Sequence, residues 1–554
     1  MSASNKKKLR KEQEAAVLTE KQLKEKAEAK KLKAYSITFT VIMALVLCIA
    51  IITIAYTTIN KTGIFQKNIV AVTINDHELN SVDLGYYYVD AISKEYADWS
   101  STYGENTVAL LRMMGLDLTA PLSTQVYNPE TNETWADYFI AQAIENARGT
   151  YALYDAAVAE GFVMSEEDRA SLDENTKVFE DYAELFAGGD TDAYIEQIYG
   201  TGADLESYKA YVDVIGTANA YQTEYYNSLS YDDAAIRAHE ADRYNDYTGY
   251  TFAYKFIDYN EFLHETTEEE HEHSDEEISA ALAEAKAAAE SLLSAKTVEE
   301  FDEMISALEI FAPAEGQEAT VSTKSTDTLL TSILSAIREW ISSDERKEGD
   351  TTVVPYSTDT TNEDGTASST LMGYFAVYYQ SKNENLRHLA NVRHLLVEFE
   401  GGTKDESGNT VYTIDEKAAA KTEAESLLEQ WKKGAATEES FIELVKEHSD
   451  DTSAETGGLF EDITPKSQYV PNFLSWSIDE SRKAGDAEVI ETEFGYHVMY
   501  YVGDSEMTYR DYLIHGDLKN ADYDSWIAAK EEGVTAEVGN LKYMYHDYIV
   551  YTGY

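Results

Sequence analysis

The segments NVRHLLVEF (residues 391–399) and TEFGYHVMY (residues 492–500) decide how the C-terminal part of this chain folds. In the first, apolar residues alternate with the period of a strand, which places His394 on one face with Val392 and Leu396. The second carries His497 within a similar run. Taken alone, each histidine fits either a hydrogen-bonded core position or a functional one.

The residues between these two segments predict helices and a polar loop. One helix buries an apolar stripe and stops at Gly434, and a shorter helix runs from Thr437 to His448. The polar loop contains SDDTSAETGG, residues 449–458. Further short motifs follow in order: QYVPNF at 468–473, GD at 485–486 and TEFGYH at 492–497.

This ordered set of motifs resembles the parvulin family of peptidyl-prolyl isomerases across residues 388–503. The resemblance implies an α+β domain whose four-stranded antiparallel sheet is covered by helices. It implies that His394 and His497 lie side by side on central strands as a catalytic pair with Asp451. It further implies that four residues form or support a proline-binding pocket: Tyr469, Phe473, Thr492 and Phe494.

The chemistry of such a site explains these residue types. Rotation about an X–Pro bond faces a barrier of about 18–20 kcal/mol because amide resonance must be broken. No bond is made or cut, so the reaction needs no nucleophile, metal or cofactor. An apolar pocket with positioned donors and acceptors can favour the twisted amide over both planar forms.

A second, altered copy of this pattern is predicted at residues 250–380. Four blocks of residues match the later domain in the same order, with offsets that shrink from 140 to 122 along the chain. Tyr254 and Phe375 stand where the later copy has His394 and His497, and the SDD motif is missing. We therefore expect a scaffold that lacks the polar site.

Charge and cysteine content exclude several classes of protein. The formal net charge is −58, yet residues 1–34 carry a net +6, so the remainder is more acidic still. Such a body repels phosphate backbones, which argues against a nucleic-acid partner. Cys48 is the only cysteine, and it lies in an apolar run, so disulfides and a thiolate site are not expected elsewhere.

Residues 36–59 form an uncharged run that is long enough to span a bilayer as a helix. Lysines and arginines precede this run, so the positive-inside rule predicts a cytoplasmic N-terminus and an extracytoplasmic body. A cleaved signal peptide fits less well because the apolar run is long and lacks an A-x-A-like site. A lipid-modified Cys48 fits poorly because Leu47 is bulky and the run continues beyond it.

The N-terminal half predicts a mainly helical domain. Residues 69–80 resemble the opening of PrsA- and SurA-type foldases, and the tyrosine-rich helices after them fit either a client-gripping groove or ordinary packing. His264, His271 and His273 lie among carboxylates. This cluster fits either a weak divalent-metal site or a solvated loop before a helix capped by Ser274 and Glu277.

These observations predict an α+β protein with a helical chaperone domain, two parvulin-like domains and one transmembrane helix. The expected function is a membrane-anchored foldase that isomerises X-Pro bonds in exported, partly folded polypeptides. The alternative is a non-catalytic holdase that uses the parvulin fold only to bind chains. The expected divisions are a cytoplasmic tail (1–34), the membrane anchor (35–60), the chaperone domain (66–235), the degenerate copy (236–385), the isomerase domain (388–503) and a C-terminal helical segment (504–554).

Overall fold

The computed structural model describes residues 61–263, 273–313, 317–361, 367–405 and 408–544, with short pieces of the first 60 residues (4–8, 43, 46–49 and 58). The chain divides into two compact units, Met1–Leu229 with Asp522–Tyr554, and Ser230–Ala521. We refer to them as the N-terminal unit and the sheet unit.

Fifteen helices are described beyond residue 60: α1 (Ile64–Asn68), α2 (Ser81–Tyr103), α3 (Thr107–Met113), α4 (Trp135–Glu160), α5 (Glu166–Phe186), α6 (Thr191–Tyr199), α7 (Leu205–Ser228), α8 (Asp233–Glu240), α9 (Asp275–Ser291), α10 (Val298–Ser306), α11 (Ser335–Ile341), α12 (Ile414–Lys433), α13 (Glu438–His448), α14 (Pro471–Ser477) and α15 (Tyr509–Glu531). The described strands are β1 (Val70–Ile74), β2 (His77–Asn80), β3 (Val126–Asn128), β4 (Glu133–Thr134), β5 (Gly249–Asp258), β6 (Thr323–Leu329), β7 (Thr351–Thr361), β8 (Ala367–Asn383), β9 (His388–Glu398), β10 (Thr403–Lys404), β11 (Thr410–Val411), β12 (Leu459–Ile463), β13 (Ala487–Glu491), β14 (Gly495–Thr508) and β15 (Ala536–Val538).

The N-terminal unit is mainly helical and begins with a short hairpin. Strands β1 and β2 pair antiparallel, and β15 from the C-terminal end completes a three-stranded sheet beside β1. Helix α2 starts directly after β2 because Asn80 and Asp83 form a reciprocal capping box, which satisfies backbone donors that the first turn leaves unpaired. The segment 504–554, in which helical segments are predicted, therefore also contributes a strand.

The tyrosines of α2 lie in the core of the N-terminal unit. Tyr86, Tyr87 and Tyr88 are each at most 3 % exposed. The Tyr86 ring stacks on Tyr211 with centroids 5.0 Å apart, and the Tyr87 ring meets Tyr211 edge to face at 4.9 Å. Of the two roles open to these tyrosines, the structure places these three in ordinary helix packing.

The sheet unit contains two four-stranded antiparallel sheets with the same connectivity. Their strand orders are β6-β5-β8-β7 and β12-β9-β14-β13. The register of the central pair is also the same, because Phe256 pairs with Phe375 in the first sheet and Leu396 pairs with His497 in the second. These residues are the ones that the repeat in the sequence aligns.

Smaller details repeat between the two sheets as well. An arginine guanidinium lies over a tryptophan ring in both, Arg346 over Trp340 at 4.7 Å and Arg482 over Trp476 at 4.4 Å. The aligned blocks therefore occupy equivalent places in three dimensions, as expected of two diverged copies of one domain.

The second sheet separates two apolar layers. On one face, Leu395 and Val397 pack against α12 and α13 through Trp431 and Phe441. On the other face, Val392 packs with Met499, Tyr501 and the residues of α14. Since successive side chains of a strand point to opposite faces, His394 shares the face of Val392, as the sequence pattern predicts.

A buried arginine fixes the segment that connects the two sheets. Arg510 is 2 % exposed and donates to Glu240 and to the carbonyl oxygens of Tyr244 and Glu384, the last at 3.0 Å. Its backbone N–H donates to Asn385 O at 2.8 Å. The start of α15 is thus tied to the chain just before β9.

The α+β class with antiparallel sheets is confirmed, whereas the membrane helix is not. Within the described part of the chain, we find no helix that combines the length and the apolar character of a bilayer span. The predicted anchor at 35–60 and the tail at 1–34 lie almost entirely outside the described residues, as do His264 and His271. Ser274 and Glu277 form the expected capping box at the start of α9.

Candidate active site

Two buried histidines on neighbouring strands form the centre of the site. His394 on β9 is 2 % exposed and His497 on β14 is 5 % exposed. Their Nδ1 atoms lie 2.9 Å apart, and their rings stack with centroids at 5.1 Å and an interplanar angle of 27°. The structure therefore joins the two predicted histidines in one hydrogen bond.

The segment before β12 brings a carboxylate to the outer edge of this pair. Asp450 runs beside β9, since its N–H donates to Leu396 O at 2.9 Å and its Oδ2 accepts from Glu398 N at 3.0 Å. This pairing holds the next residue, Asp451, with Oδ1 at 3.5 Å from His394 Nε2. Ser453 Oγ lies 3.3 Å from the same nitrogen.

Thr492 closes the other end of the pair. Its Oγ1 lies 2.8 Å from His497 Nε2 and accepts a hydrogen bond from Phe494 N at 3.3 Å. Thr492 is 7 % exposed, so this hydroxyl is held within the fold. A continuous line of polar contacts thus runs from Thr492 through both rings to Asp451.

The direction of the protons along this line follows from the carboxylate at its end. An ionised carboxylate only accepts, so His394 presents Nε2–H to Asp451, and a neutral His394 ring has Nδ1 as an acceptor. His497 then donates from Nδ1, and its Nε2 accepts from the hydroxyl of Thr492. One charged group therefore sets the tautomer of both rings.

The electrostatics agree with an uncharged His497 beside an ionised Asp451. Burial lowers the pKa of His497 to about 4, with a further lowering by His394, while Asp451 acts in the opposite sense. The contact with His394 lowers the pKa of Asp451, and the bonds from Ser453 add to this effect against the cost of burial. At neutral pH the site therefore holds one negative charge and an uncharged His497.

A wall of aromatic rings stands beside the histidines. Phe473 is 4 % exposed, and its ring centroid lies 5.4 Å from His394 and 5.8 Å from His497. Tyr469, 36 % exposed, lies 5.3 Å from Phe473 at the outer side. Phe460 on β12 completes the wall at 5.0 Å from His394.

Phe460 and Ser453 are not among the residues that the sequence analysis selected. Phe460 follows the glycine pair at 457–458, and only the pairing of β12 with β9 brings it next to His394. Phe494, which the resemblance assigned to the pocket, has a side chain that is 57 % exposed. Its backbone N–H bonds to Thr492, and its role in binding stays a prediction.

Gly458 lets the site segment approach β9 closely. Its φ of +64° is in the left-handed region, and its carbonyl accepts from His394 N at 2.9 Å. A Cβ there would stand 2.1 Å from His394 O, which no side chain can occupy. The second glycine of the motif is thus needed for the backbone position of His394.

The equivalent place in the first sheet contains only aromatic groups. Tyr254 and Phe375 meet with ring centroids 5.7 Å apart, and Phe256 and Tyr356 pack on Phe375 at 4.9 and 5.3 Å. No imidazole pair or carboxylate corresponds to those of the second sheet among these residues. This place is filled by rings and has lost the polar groups of the site.

Metal binding finds no support in the described residues. Within them, no three His, Cys, Asp or Glu side chains are grouped so that they could hold an ion. Of the three clustered histidines that suggested a weak metal site, His273 alone is described.

Residues 394–503 match the family model described as Rotamase, PPIC-type PPIASE domain. The match covers the strands, helices and loop that carry His394, Asp451 and His497. The chain therefore contains an enzyme domain of the PpiC-type class, the peptidyl-prolyl cis–trans isomerases. A comparison with curated proteins found no match.

Several solved structures are similar to parts of the chain. The PPIase domain of TbPar42 is 23 % identical over 20 % of this chain and 98 % of its own length, with a TM-score of 0.17. PrsA from Bacillus subtilis is 21 % identical over 27 % of this chain and 49 % of its own, with a TM-score of 0.17. A SurA-like chaperone of Campylobacter jejuni, one of the pair PEB4 and Cj1289, is 22 % identical over 26 % and 52 %, with a TM-score of 0.15. The chain thus spans about half the length of these last two proteins.

Proposed function

We propose that this protein is a membrane-anchored foldase that accelerates cis–trans isomerisation of X-Pro bonds in exported polypeptides while it holds them. The observation that carries the proposal is the His394–His497 pair, buried beside an ionised Asp451 and an aromatic wall. The exposed edge of that wall, at Tyr469, gives a proline ring access from solvent.

The aromatic wall supplies the binding part of the reaction. A proline ring packed against Phe460 and Phe473 is fixed while the chain on the other side of the bond turns. A cavity of about 400 Å³ next to Thr492, bordered by Val470 and Pro471, gives room for that chain. Removing water from the X-Pro carbonyl matters because the planar amide, with its larger dipole, is solvated better than the twisted one.

The line of polar contacts from Thr492 to Asp451 supplies electrostatic selection between planar and twisted amides. A planar amide places partial negative charge on its oxygen, and the carboxylate of Asp451 disfavours that charge. Twisting withdraws the charge from the oxygen and restores a lone pair to the proline nitrogen. A fixed negative charge beside a water-excluding aromatic wall therefore stabilises the twisted state relative to both planar forms.

The membrane anchor and the extracytoplasmic location belong to the proposal on the strength of the sequence. The uncharged run at 36–59 and the basic residues before it support a single span with the N-terminus in the cytoplasm. The holding role rests on the helical N-terminal unit, which is separate from the site.

Refolding of a proline-limited client tests the combined activity. The full chain should shorten the slow refolding phase of a protein whose folding waits on an X-Pro bond, and it should also lower aggregation of that protein. A protein that lowers aggregation and leaves the slow phase unchanged would instead be the non-catalytic holdase.

A further inference from the structure

The N-terminal unit contains a cavity that the isomerase site does not use. Its volume is about 740 Å³, and its walls come from α2, α4, α7 and the C-terminal part of α15. Ligand pockets in proteins usually measure about 300–1,000 Å³, so the space suffices for a short peptide segment.

The lining combines an apolar surface with amides. Leu153, Ile215 and Ile527 supply aliphatic area, and Asn146 and Asn219 supply amide groups that both donate and accept. Amide side chains can pair with the N–H and C=O groups of an extended backbone whatever its sequence. Aliphatic walls with amides suit a polypeptide better than a compact polar metabolite.

The charges of the lining select the side chain that such a segment would carry. The lining includes four carboxylates and one ammonium group. Two of the carboxylates, Glu145 and Glu531, are paired with Arg148 at 2.9 and 3.1 Å. Among the described residues, the other two, Asp90 and Asp524, have no basic side chain within 4.0 Å. The cavity therefore favours a cation.

A buried tyrosine adds aromatic area to the wall. Tyr87 lines the cavity and is 3 % exposed, and its hydroxyl is closed to solvent.

A glycine in the middle of α4 leaves this wall open. Gly149 lines the cavity, and a Cβ there would meet one atom, Glu531 Oε1 at 3.1 Å. A glycine inside a helix costs about 0.5–1 kcal/mol relative to alanine, so this position gives up helix stability and gains space.

We propose that this cavity binds an extended polypeptide segment through a Lys or Arg side chain. The inference deepens the proposed holding of clients and rests on it. It names the place where a client is held and the residue type that is recognised. The acidity of the whole chain adds to the selection, because its field attracts cationic segments.

The test uses the full chain and a proline-free heptapeptide, Gly-Leu-Ala-Lys-Ala-Leu-Gly, in calorimetric titrations. Analogues with norleucine or Glu in place of Lys separate charge from shape. We expect the Lys peptide to bind about tenfold more tightly than the norleucine peptide, which corresponds to about 1.4 kcal/mol, and the Glu peptide not to bind. Equal affinity of the Lys and norleucine peptides would overturn the charge recognition.

Two substitutions at one position locate the site. Gly149→Leu projects a branched side chain into the cavity and should abolish binding of the Lys peptide, whereas Gly149→Ala gains the same helix propensity and should keep binding within about twofold. Unchanged binding by Gly149→Leu would show that the cavity is not the site. If the Leu variant does not fold, Asp524→Asn at an exposed position serves, with an expected loss of about threefold and with unchanged binding as the contrary result.

The result for peptide binding can be distinguished from the result for the proposed isomerase activity. Both Gly149 variants should isomerise a proline tetrapeptide at the rate of the unsubstituted chain. Lost peptide binding with full isomerase activity supports the inference, while peptide binding without isomerase activity would refute only the proposed catalysis.

Discussion

His394 and His497 share one hydrogen bond between their Nδ1 atoms, 2.9 Å apart, and this bond crosses the two central strands of the second sheet. Each ring has a different partner on its other nitrogen, Asp451 for His394 and Thr492 for His497. The pair is therefore polarised from one end to the other.

The stability of the isomerase domain should fall in mildly acidic solution. The pKa of His497 is about 4 in the folded chain, compared with 6.5 for an unperturbed histidine. The unfolded state therefore binds the proton first as the pH falls. The contribution of neutral His497 to the free energy of unfolding is complete above pH 6.5. It is lost between about pH 6.5 and 4 and amounts to at most about 3 kcal/mol. Hydrogen exchange of peptides from β9 and β14 measures this loss in the full chain.

The matched control for the pH effect is His497→Phe. This variant has no group that titrates at the position, and the first sheet already accommodates phenylalanine at the equivalent Phe375. Its stability should change less between pH 6.5 and 4 than that of the unsubstituted chain. An equal pH dependence in both proteins would contradict a neutral, buried His497.

Asp451→Asn should lower isomerase activity because it removes the charge that sets both tautomers. We expect a decrease of about 10- to 100-fold in kcat/KM, in the range of a single electrostatic group in an active site. Asp450→Asn is the control, since the Asp450 side chain accepts from Glu398 N and does not contact the histidines. Equal losses in both variants would mean that Asp451 acts only through the local backbone.

Phe460→Ala should weaken substrate binding, although no sequence motif indicated this residue. Its ring forms the wall at 5.0 Å from His394, so its removal should raise KM several-fold with a smaller effect on kcat. Phe494→Ala provides the comparison, because that ring is 57 % exposed and should matter little. A larger increase in KM from Phe494→Ala than from Phe460→Ala would assign Phe494 to the pocket and would contradict the assignment of Phe460.

The topology of the chain is open to direct measurement. Protease added to intact cells or protoplasts should digest residues 61–554 and leave a small membrane-embedded fragment that contains the run at 36–59. This follows from the positive charge before that run. Recovery of a soluble protein that starts near Asn60 would contradict the anchor.

The sequence was sufficient for the parts of the site that lie on regular strands. The alternating pattern around His394 and the offsets of the repeat both depend on a period of two, which survives divergence. They place His394 on the correct face and Phe375 opposite Phe256, in the register that the structure shows. The capping box of Ser274 and Glu277 was readable for a similar reason, since it depends on a fixed local spacing.

Features that depend on distant contacts could not be predicted in the same way. Phe460 is an ordinary apolar residue until β12 pairs with β9. The tyrosines of α2 have an amphipathic character that fits a surface or a core, and only the packing of α2 against α7 decides for the core. The cavity beside Gly149 is formed by four helices, and their arrangement cannot be predicted from local sequence patterns.

The most direct test of the account is proline isomerisation by the full chain with His497→Phe. Both parvulin-like sheets are present in this variant, yet the second then carries the ring that the first already has at Phe375. We predict that the unsubstituted chain isomerises a proline tetrapeptide and that the variant, folded and with normal peptide binding by the N-terminal unit, retains no more than about a hundredth of that activity. Full activity in the folded variant would contradict the assignment of catalysis to the His394–His497 pair.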